Sequence, residues 1–235
     1  MNQIARIKLS PRLQMVANMV RTGAVVADIG TDHAYIPVYL LQNGICPSAI
    51  AADLRERPLA NARATVIAND LSEKITLRLS DGLDKIGADE VQDIILAGMG
   101  GTLITELLGR TAWLRDNTKR LIIQPMTHAE DARVLLCKQG FKILFEQACF
   151  EEHRCYVAMC AQFEKNVSKP VSPAYYYLGE LPANGNQAAR EHIKRQRQRL
   201  KKRLDGITKS GQNPEEAKSL IKIMQEISEV SYHDE

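Results

Sequence analysis

The stretch that decides the fold of this chain is Val25-Val-Ala-Asp-Ile-Gly-Thr-Asp-His-Ala-Tyr-Ile-Pro37. A short β-branched run ends in Asp28, Gly30 follows two residues later, and a helix-like apolar pattern resumes after Pro37. This order predicts the first strand, turn and helix of a doubly wound α/β sheet, in which ligands bind at the carboxyl ends of the strands. Gly30 lets the backbone turn sharply and lie close to a ligand.

The turn after this strand lacks the glycine pattern of a dinucleotide site. In the fingerprint G-x-G-x-x-G the second glycine approaches a pyrophosphate, and Asp32 occupies that position here. Because a carboxylate repels phosphate groups, the turn favours a ligand without phosphates. S-adenosylmethionine, with its ribose, adenine, amino group and sulfonium centre, meets that requirement.

A second acidic residue, Asp53, ends the next predicted strand, 25 residues after Asp28. An acid at this point commonly accepts hydrogen bonds from ribose hydroxyls in such folds. The alternative interpretation is that Asp53 caps the following helix.

The apolar pattern predicts strands that alternate with helices, followed by a terminal antiparallel pair. Pro11 is expected at the first position of a helix capped by Ser10, and Pro125 is expected to stop the fifth strand. Connection rules give a mostly parallel seven-stranded sheet of order 3-2-1-4-5-7-6, with the last strand antiparallel. The predicted strands are residues 24–29, 49–53, 75–80, 93–97, 121–124, 141–150 and 155–163, and the predicted helices between them are 37–42, 58–69, 102–108 and 128–139.

The domain organisation predicted from composition has three parts. Residues 1–163 form the α/β domain, and residues 164–185, with three prolines, form a linker that lies against the core through Tyr175, Tyr176 and Tyr177. Residues 186–235 show helical periodicity interrupted at residues 211–214, which predicts an antiparallel, coiled-coil-like helical hairpin.

Positive charge is concentrated in the tail. Residues 1–162 hold 18 basic and 18 acidic residues, whereas residues 190–203 hold eight basic residues and one acid. A solvated helix face is the ordinary explanation of such a run, but this excess favours binding of nucleic-acid phosphates. A second set of basic residues lies just before the first predicted helix and in its first turn. The candidate RNA-binding residues are Lys194, Arg195, Arg197 and Arg199, together with Arg6, Lys8 and Arg12.

Composition excludes some classes of protein. No apolar run approaches the length of a membrane span, and no hydrophobic signal core precedes the first helix, so a cytoplasmic location is expected. The five cysteines show no metal-ligand spacing, so no metal is expected. We expect a monomer or a weak dimer.

Two further strand ends carry candidate site residues. Gly98-Met99-Gly100-Gly101 follows the fourth strand, and its glycines allow close approach of the backbone to ligands, although a tight turn alone would also use a glycine. Gln124 ends the fifth strand, where its amide can contact a base edge or merely terminate the strand. His33 and Asp81 lie in the loops after the first and third strands; each is a candidate ligand contact or a local loop residue.

Together these motifs resemble the bacterial tRNA (adenine-22-N1)-methyltransferase family over about residues 8–162. The resemblance implies a class I methyltransferase (Rossmann-like) domain, a coiled-coil-like helical domain, and methyl transfer from S-adenosylmethionine to N1 of an adenine in the D-arm region of tRNA. Met126 departs from the family pattern, which has Asn there, so contacts with the target base would differ. The resemblance rests on Leu9-Ser-x-Arg-Leu13, Asp28–Pro37, Ala49-Ile-Ala51, Ala97-Gly-Met-Gly-Gly101 and Leu121-Ile-Ile-Gln-Pro125.

The resemblance also assigns roles to positions. N1 of neutral adenine has a free lone pair, so attack needs no prior deprotonation and the enzyme has chiefly to align the reacting atoms. A carboxylate such as Asp32 could stabilise the charge on the methylated base or accept a proton from its exocyclic amine after transfer. Asp32, Met99 and Gln124 are then the candidates for positioning the substrate or for stabilising the charge that develops on the base. The cofactor-binding positions that match the family are Asp28, Gly30, His33, Asp53, Asp81, Gly82, Gly98, Met99 and Gly100.

Two other functions compete with this one. The first is a methyltransferase that acts on a small molecule or a protein; the basic tail argues against it. The second is a non-catalytic RNA-binding protein that retains a cofactor pocket. Acidic residues are present at the ends of the first two strands, and glycines follow the fourth. Their presence argues against a loss of the methyltransferase site.

Overall fold

The computed structural model describes residues 6–165, 171–181 and 185–232. Its strands are β1 (Val26–Ile29), β2 (Ala49–Asp53), β3 (Ile75–Leu79), β4 (Asp93–Gly100), β5 (Arg120–Thr127), β6 (Phe141–Glu151) and β7 (Arg154–Phe163). Its α-helices are α1 (Pro11–Ala17), α2 (Tyr35–Gln42), α3 (Glu56–Ala68), α4 (Gly101–Arg110), α5 (Ala129–Lys138), α6 (Tyr175–Leu178), α7 (Gln187–Ser210) and α8 (Pro214–Tyr232).

The seven strands form one sheet in the order β3-β2-β1-β4-β5-β7-β6, which confirms the predicted topology. Strands β1 to β5 are parallel, and β7 runs antiparallel between β5 and β6. The central strands are buried on both faces because helices cover both sides of the sheet, as in other parallel sheets. All five parallel strands therefore present their carboxyl ends at one edge, where the candidate site lies.

Two strands extend beyond the predicted stops. Pro125 does not end β5, which continues to Thr127. The missing N–H of Pro125 costs no bond to β7, since β7 pairs with β5 only through residues 120–123. Gly98 and Gly100 belong to β4 rather than to a loop, with two register shifts against β5, and Gly101 begins α4.

Helix starts also differ from the sequence-based predictions. Helix α3 begins at Glu56, two residues before Pro58, and α2 begins at Tyr35, two residues before Pro37, since proline is tolerated throughout the first turn. Ser10 precedes Pro11 as predicted, but its side chain makes no capping hydrogen bond. The carboxylate of Glu151, at the end of β6, instead accepts from the Arg12 backbone N–H at 2.9 Å.

The helical tail is attached to the sheet through buried contacts. Helices α7 and α8 pack against each other around a small apolar core of their own, while Ala188 and Ala189 at the start of α7 belong to the main core. The short segment before α7 is tied down by Arg133, whose guanidinium pairs with Glu146 at 2.6 Å in full burial and donates to the carbonyl of Tyr176 at 2.9 Å. The start of the tail is therefore continuous with the core. No helix in the described part of the chain is long and apolar enough to span a membrane.

Candidate functional site

A cleft of about 340 Å³ opens at the carboxyl ends of β1 and β4. It lies where the sheet order reverses direction along the chain, which is the usual ligand site of a doubly wound sheet. Its volume is in the range of small-ligand sites. The lining residues are Arg12, Leu13, Asp28, Gly30, Thr31, Asp32, His33, Ala34, Tyr35, Ile36, Ala97 and Gly98.

The floor of the cleft holds a buried carboxyl group. Asp28 is 6% exposed, and burial raises its pKa from 3.8 to about 6, with a hydrogen bond from the Thr31 side chain acting in the opposite direction and the nearby Asp53 adding to the rise. The Thr31 hydroxyl accepts from the Ala34 N–H at 3.1 Å, which leaves its own proton for Asp28. A cationic or hydrogen-bond-donating ligand would stabilise the ionised form of a carboxyl group buried in this way.

Asp53 lies at the end of the adjacent strand and is 7% exposed. One of its oxygens, Oδ1, accepts from the Arg55 backbone N–H at 2.8 Å. Arg55 is the residue that precedes the first turn of α3, so Asp53 supports the strand-to-helix turn. This local bond occupies one carboxylate oxygen and is compatible with a ligand contact through the other.

The glycine turn after β1 is shaped by Met99. Gly30 has φ +75°, and a Cβ atom built on it would collide with the Met99 methyl group. The Met99 side chain therefore lies against the Gly30 turn, although Met99 itself does not line the cleft. Any residue with a side chain at position 30 would be both strained and obstructed.

A polar network joins three chain segments beside the cleft: the start of α1, the end of β4 and the end of β5. Gln124 is fully buried, and its Oε1 accepts from Arg12 Nη1 at 2.8 Å and from the Gly98 backbone N–H at 3.1 Å. The Arg12 guanidinium also lies 5.5 Å from the centre of the Tyr156 ring. Gln124 thus fixes both the strand end at Gly98, which has φ +80°, and the Arg12 side chain that faces it.

The outer rim of the cleft carries two stacked rings. His33 and Tyr35 lie parallel, with centroids 4.9 Å apart and planes inclined by 7°. Asp32 contacts the His33 ring at 3.4 Å and accepts from Asn61 at 3.3 Å. Because the Asp32 side chain is 66% exposed, it can reorient toward a ligand at little cost.

Other predicted site residues lie outside the cleft lining. Asp81 pairs with Arg110 at 2.6 Å, and Gly82 packs against Leu107. Gly100 faces the Thr127 hydroxyl across the β4–β5 pair. Only Gly98 of the three glycines in this segment lines the cleft, and Gly101 has a packing role, since a Cβ there would collide with the His128 backbone.

The predicted RNA-binding residues divide into three places. Arg12 lies in the cleft, whereas Arg6 and Lys8 are exposed on the segment ahead of α1. Lys194, Arg195, Arg197 and Arg199, termed the α7 cations, are all exposed on α7. In the part of the chain that the structure describes, no group of three or more His, Cys, Asp or Glu side chains is arranged to hold a metal ion.

Sequence reasoning missed two features of this cleft. Thr31 was not singled out, although its position between the turn glycine and Asp32 places its hydroxyl beside Asp28. Arg12 was grouped with surface cations because its sequence neighbours are basic. Its contact with Gln124 spans 112 residues of sequence, and no local pattern signals it.

Comparison with known families identifies relatives over most of the chain. A family model described as a methyltransferase domain matches residues 9–159. The tRNA (adenine(22)-N(1))-methyltransferase of Bacillus subtilis (strain 168) is 38% identical over 156 residues, which is 66% of this chain and 66% of that protein.

Solved structures extend the similarity to the tail. The crystal structure of the B. subtilis m1A22 tRNA methyltransferase TrmK superposes with a TM-score of 0.84 and 30% identity, covering 96% of this chain and 100% of that one. Streptococcus pneumoniae Sp1610, a candidate tRNA (m1A22) methyltransferase solved with S-adenosyl-L-methionine, gives a TM-score of 0.81 and 31% identity over 95% of this chain and 100% of that one.

Proposed function

Since the chain belongs to the bacterial tRNA (adenine-22-N1)-methyltransferase family of methyltransferase-domain proteins, we propose that it transfers a methyl group from S-adenosylmethionine to N1 of adenine 22 in tRNA. The observation that carries the proposal is the cleft at the ends of β1 and β4. There a buried Asp28 carboxyl, the Gly30 turn and the Arg12–Gln124–Gly98 network meet.

The residues in and beside the cleft fit S-adenosylmethionine. Asp28 is a buried acid with a raised pKa, which is the environment that a cationic amino group or sulfonium would stabilise. Asp53 has an oxygen suited to ribose hydroxyls, and the Gly30 turn allows close backbone approach. When bound, S-adenosylmethionine supplies an electrophilic methyl group on sulfur.

Alignment is the main task of this chain in the reaction. N1 of neutral adenine carries a lone pair, so attack needs no prior loss of a proton, and correct orientation contributes most of the acceleration. Gln124 holds Gly98 and Arg12 in fixed positions at the wall where the acceptor base would enter. Asp32, at the exposed rim, can stabilise the positive charge that develops on the adenine.

The substrate must present an unpaired base. N1 lies on the Watson–Crick edge, so the target adenine has to leave any stack or pair before it enters the cleft. The exposed α7 cations supply phosphate contacts that hold the tRNA against the enzyme. Met126, 39% exposed just beyond Gln124, replaces the family Asn near this entrance, so base contacts here are apolar.

The same proposal includes a cytoplasmic enzyme that acts as a monomer or weak dimer and needs no metal. Methylation of a small molecule or protein remains the principal competitor, and a non-catalytic RNA-binding role the second. The basic helix and the intact cleft support the tRNA enzyme over both.

Methyl transfer from tritiated S-adenosylmethionine to unmodified tRNA tests the proposal, with the modified nucleotide mapped by mass spectrometry. We expect a single N1-methyladenine at position 22 and no incorporation into a matched tRNA that carries guanine there. Label in another nucleotide, or only in small molecules or proteins, would contradict the target. Absence of S-adenosylmethionine binding in calorimetry would favour the non-catalytic role.

A further inference from the structure

A second groove lies beside the cofactor cleft, between the carboxyl end of β5, the start of β7 and the first half of α7. Its volume is about 410 Å³, which is large enough for a ligand of nucleotide size. The residues of this groove that matter below are Met126, Arg154, Tyr156, Arg195, Gln196 and Arg199.

The groove is positively charged. Among the described residues, three arginines and one carboxylate, that of Glu130, line it. Glu130 pairs with Arg199 at 2.6 Å. Within the part of the chain that the structure describes, the one ion pair of Arg195 is an exposed bridge to Glu191 in its own helix, a kind of pair that is weak in water. Arg154 and Arg195 are therefore available to an anion from opposite walls.

The groove also offers a hydrogen-bond acceptor. Gln196 Oε1 is buried and has no hydrogen-bond partner among the described residues. Its neighbour His192 is neutral at physiological pH, because burial and the nearby Arg133 lower its pKa to about 3. A buried, unpaired amide oxygen is costly, and rotation of the Gln196 side chain toward the groove would let it accept from an N–H group such as the exocyclic amine of a base.

The groove adjoins the cofactor cleft. Tyr156 forms part of the groove, and the Arg12 guanidinium of the cleft lies over its ring at 5.5 Å. Met126 follows Gln124 by two residues, and Gln124 bonds to both Arg12 and Gly98. A single-stranded RNA segment that lay along the groove would reach the cleft by passing Arg12 and Tyr156.

We infer that this groove is the channel for the unpaired RNA nucleotides that flank the target adenine, with Arg154 and Arg195 binding their phosphates, Tyr156 and Met126 contacting a base face, and Gln196 accepting from a base amine. The inference rests on the proposed function and specifies how that substrate enters. Stacking on an aromatic ring between arginines is the common manner of holding single-stranded RNA.

Steady-state kinetics with tRNA test the channel. The double variant Arg154→Gln/Arg195→Gln should raise KM for tRNA about tenfold or more. It should also reduce the slope of log affinity against log salt by about two, since each phosphate that the variant no longer binds removes about one. The matched control, Lys209→Gln/Lys222→Gln, removes the same charge from exposed hairpin positions outside the groove. Its KM should stay within about twofold of wild type, because distant exposed charges are screened.

A third variant distinguishes hydrogen bonding to a base from the attraction between arginines and phosphates. Gln196→Leu should raise KM about three- to tenfold without changing the salt slope, since it removes an acceptor and no charge. All variants should bind S-adenosylmethionine like wild type, which verifies their folding. If wild type methylates tRNA while the groove variants match the control, the channel is refuted and the proposed function stands. If wild type transfers no methyl group to tRNA, both fail.

Discussion

Replacing Asp28 with asparagine should stabilise the ligand-free protein while it impairs cofactor binding. Asp28→Asn preserves the size of the side chain and its ability to accept from Thr31, and it removes a charge that burial disfavours. The native pKa of about 6, against 3.8 for the ordinary group, is a difference of about 2 units. At about 1.4 kcal/mol per unit, the ionised side chain costs the native state about 3 kcal/mol at pH 7.

The direction of the Asp28 pKa shift determines how the stability of the protein depends on pH. Because the native pKa is raised, the native state binds more protons than the unfolded state between about pH 4 and pH 6. The wild-type contribution of Asp28 to stability is therefore most favourable below pH 4 and is lost as the pH rises through 6. The advantage of Asp28→Asn should be complete at pH 7 and should vanish near pH 4.

Thermal unfolding without ligand measures this difference. For a chain of this length, about 3 kcal/mol corresponds to a rise of about 6–12 °C in Tm at pH 7. Asp32→Asn is the matched control, since its side chain is 66% exposed, and its unfolding free energy should change by less than about 0.5 kcal/mol. In calorimetry, Asp28→Asn should weaken S-adenosylmethionine binding about 10- to 150-fold through loss of a charged hydrogen bond. A variant that gains no stability at pH 7, or keeps its gain unchanged at pH 4, would refute the desolvation argument.

Three other outcomes are expected. Asp53→Ala should weaken S-adenosylmethionine binding by about 1–3 kcal/mol, the cost of leaving ligand hydroxyls unpaired. If the calorimetric affinity is unchanged, Asp53 has only the structural role given by its hydrogen bond to Arg55. Gly98→Val should reduce methyl transfer more than folding stability. Among the described residues, a Cβ at this position would meet only Arg12 Nη1 at 3.6 Å, so the fold can hold it apart from the strain of φ +80°, whereas the branched side chain would occupy cleft space that the ligands need. A collapsed Tm with full activity of the folded fraction would show a purely structural glycine. Neutralising the four α7 cations together should lower the salt slope of tRNA binding by about one for each phosphate that is no longer bound; filter binding that matched wild type in affinity and slope would move the docking surface to Arg6 and Lys8.

The sequence alone predicted the layers, the strand order and the edge of the sheet that carries the site. Apolar runs of strand length and the turns between them are local properties, and the rules for connecting parallel strands leave few topologies. Asp28 and Asp53 could be singled out as candidates for the same reason, since each lies at the end of a recognisable strand, at the edge of the sheet where ligands bind in such folds. Their burial follows directly from the strands to which they belong.

The tertiary structure decided which side chains share the cleft. Arg12 reaches Gln124 across 112 residues and takes its helix cap from Glu151 across 139. Asp81, in the loop after β3, pairs instead with Arg110 and lies outside the cleft lining. Contacts of this kind depend on how separate elements pack, and hydrophobic periodicity carries information only about the element in which it occurs. A strand end therefore marks where a site can form, while long-range hydrogen bonds and ion pairs select the residues that form it.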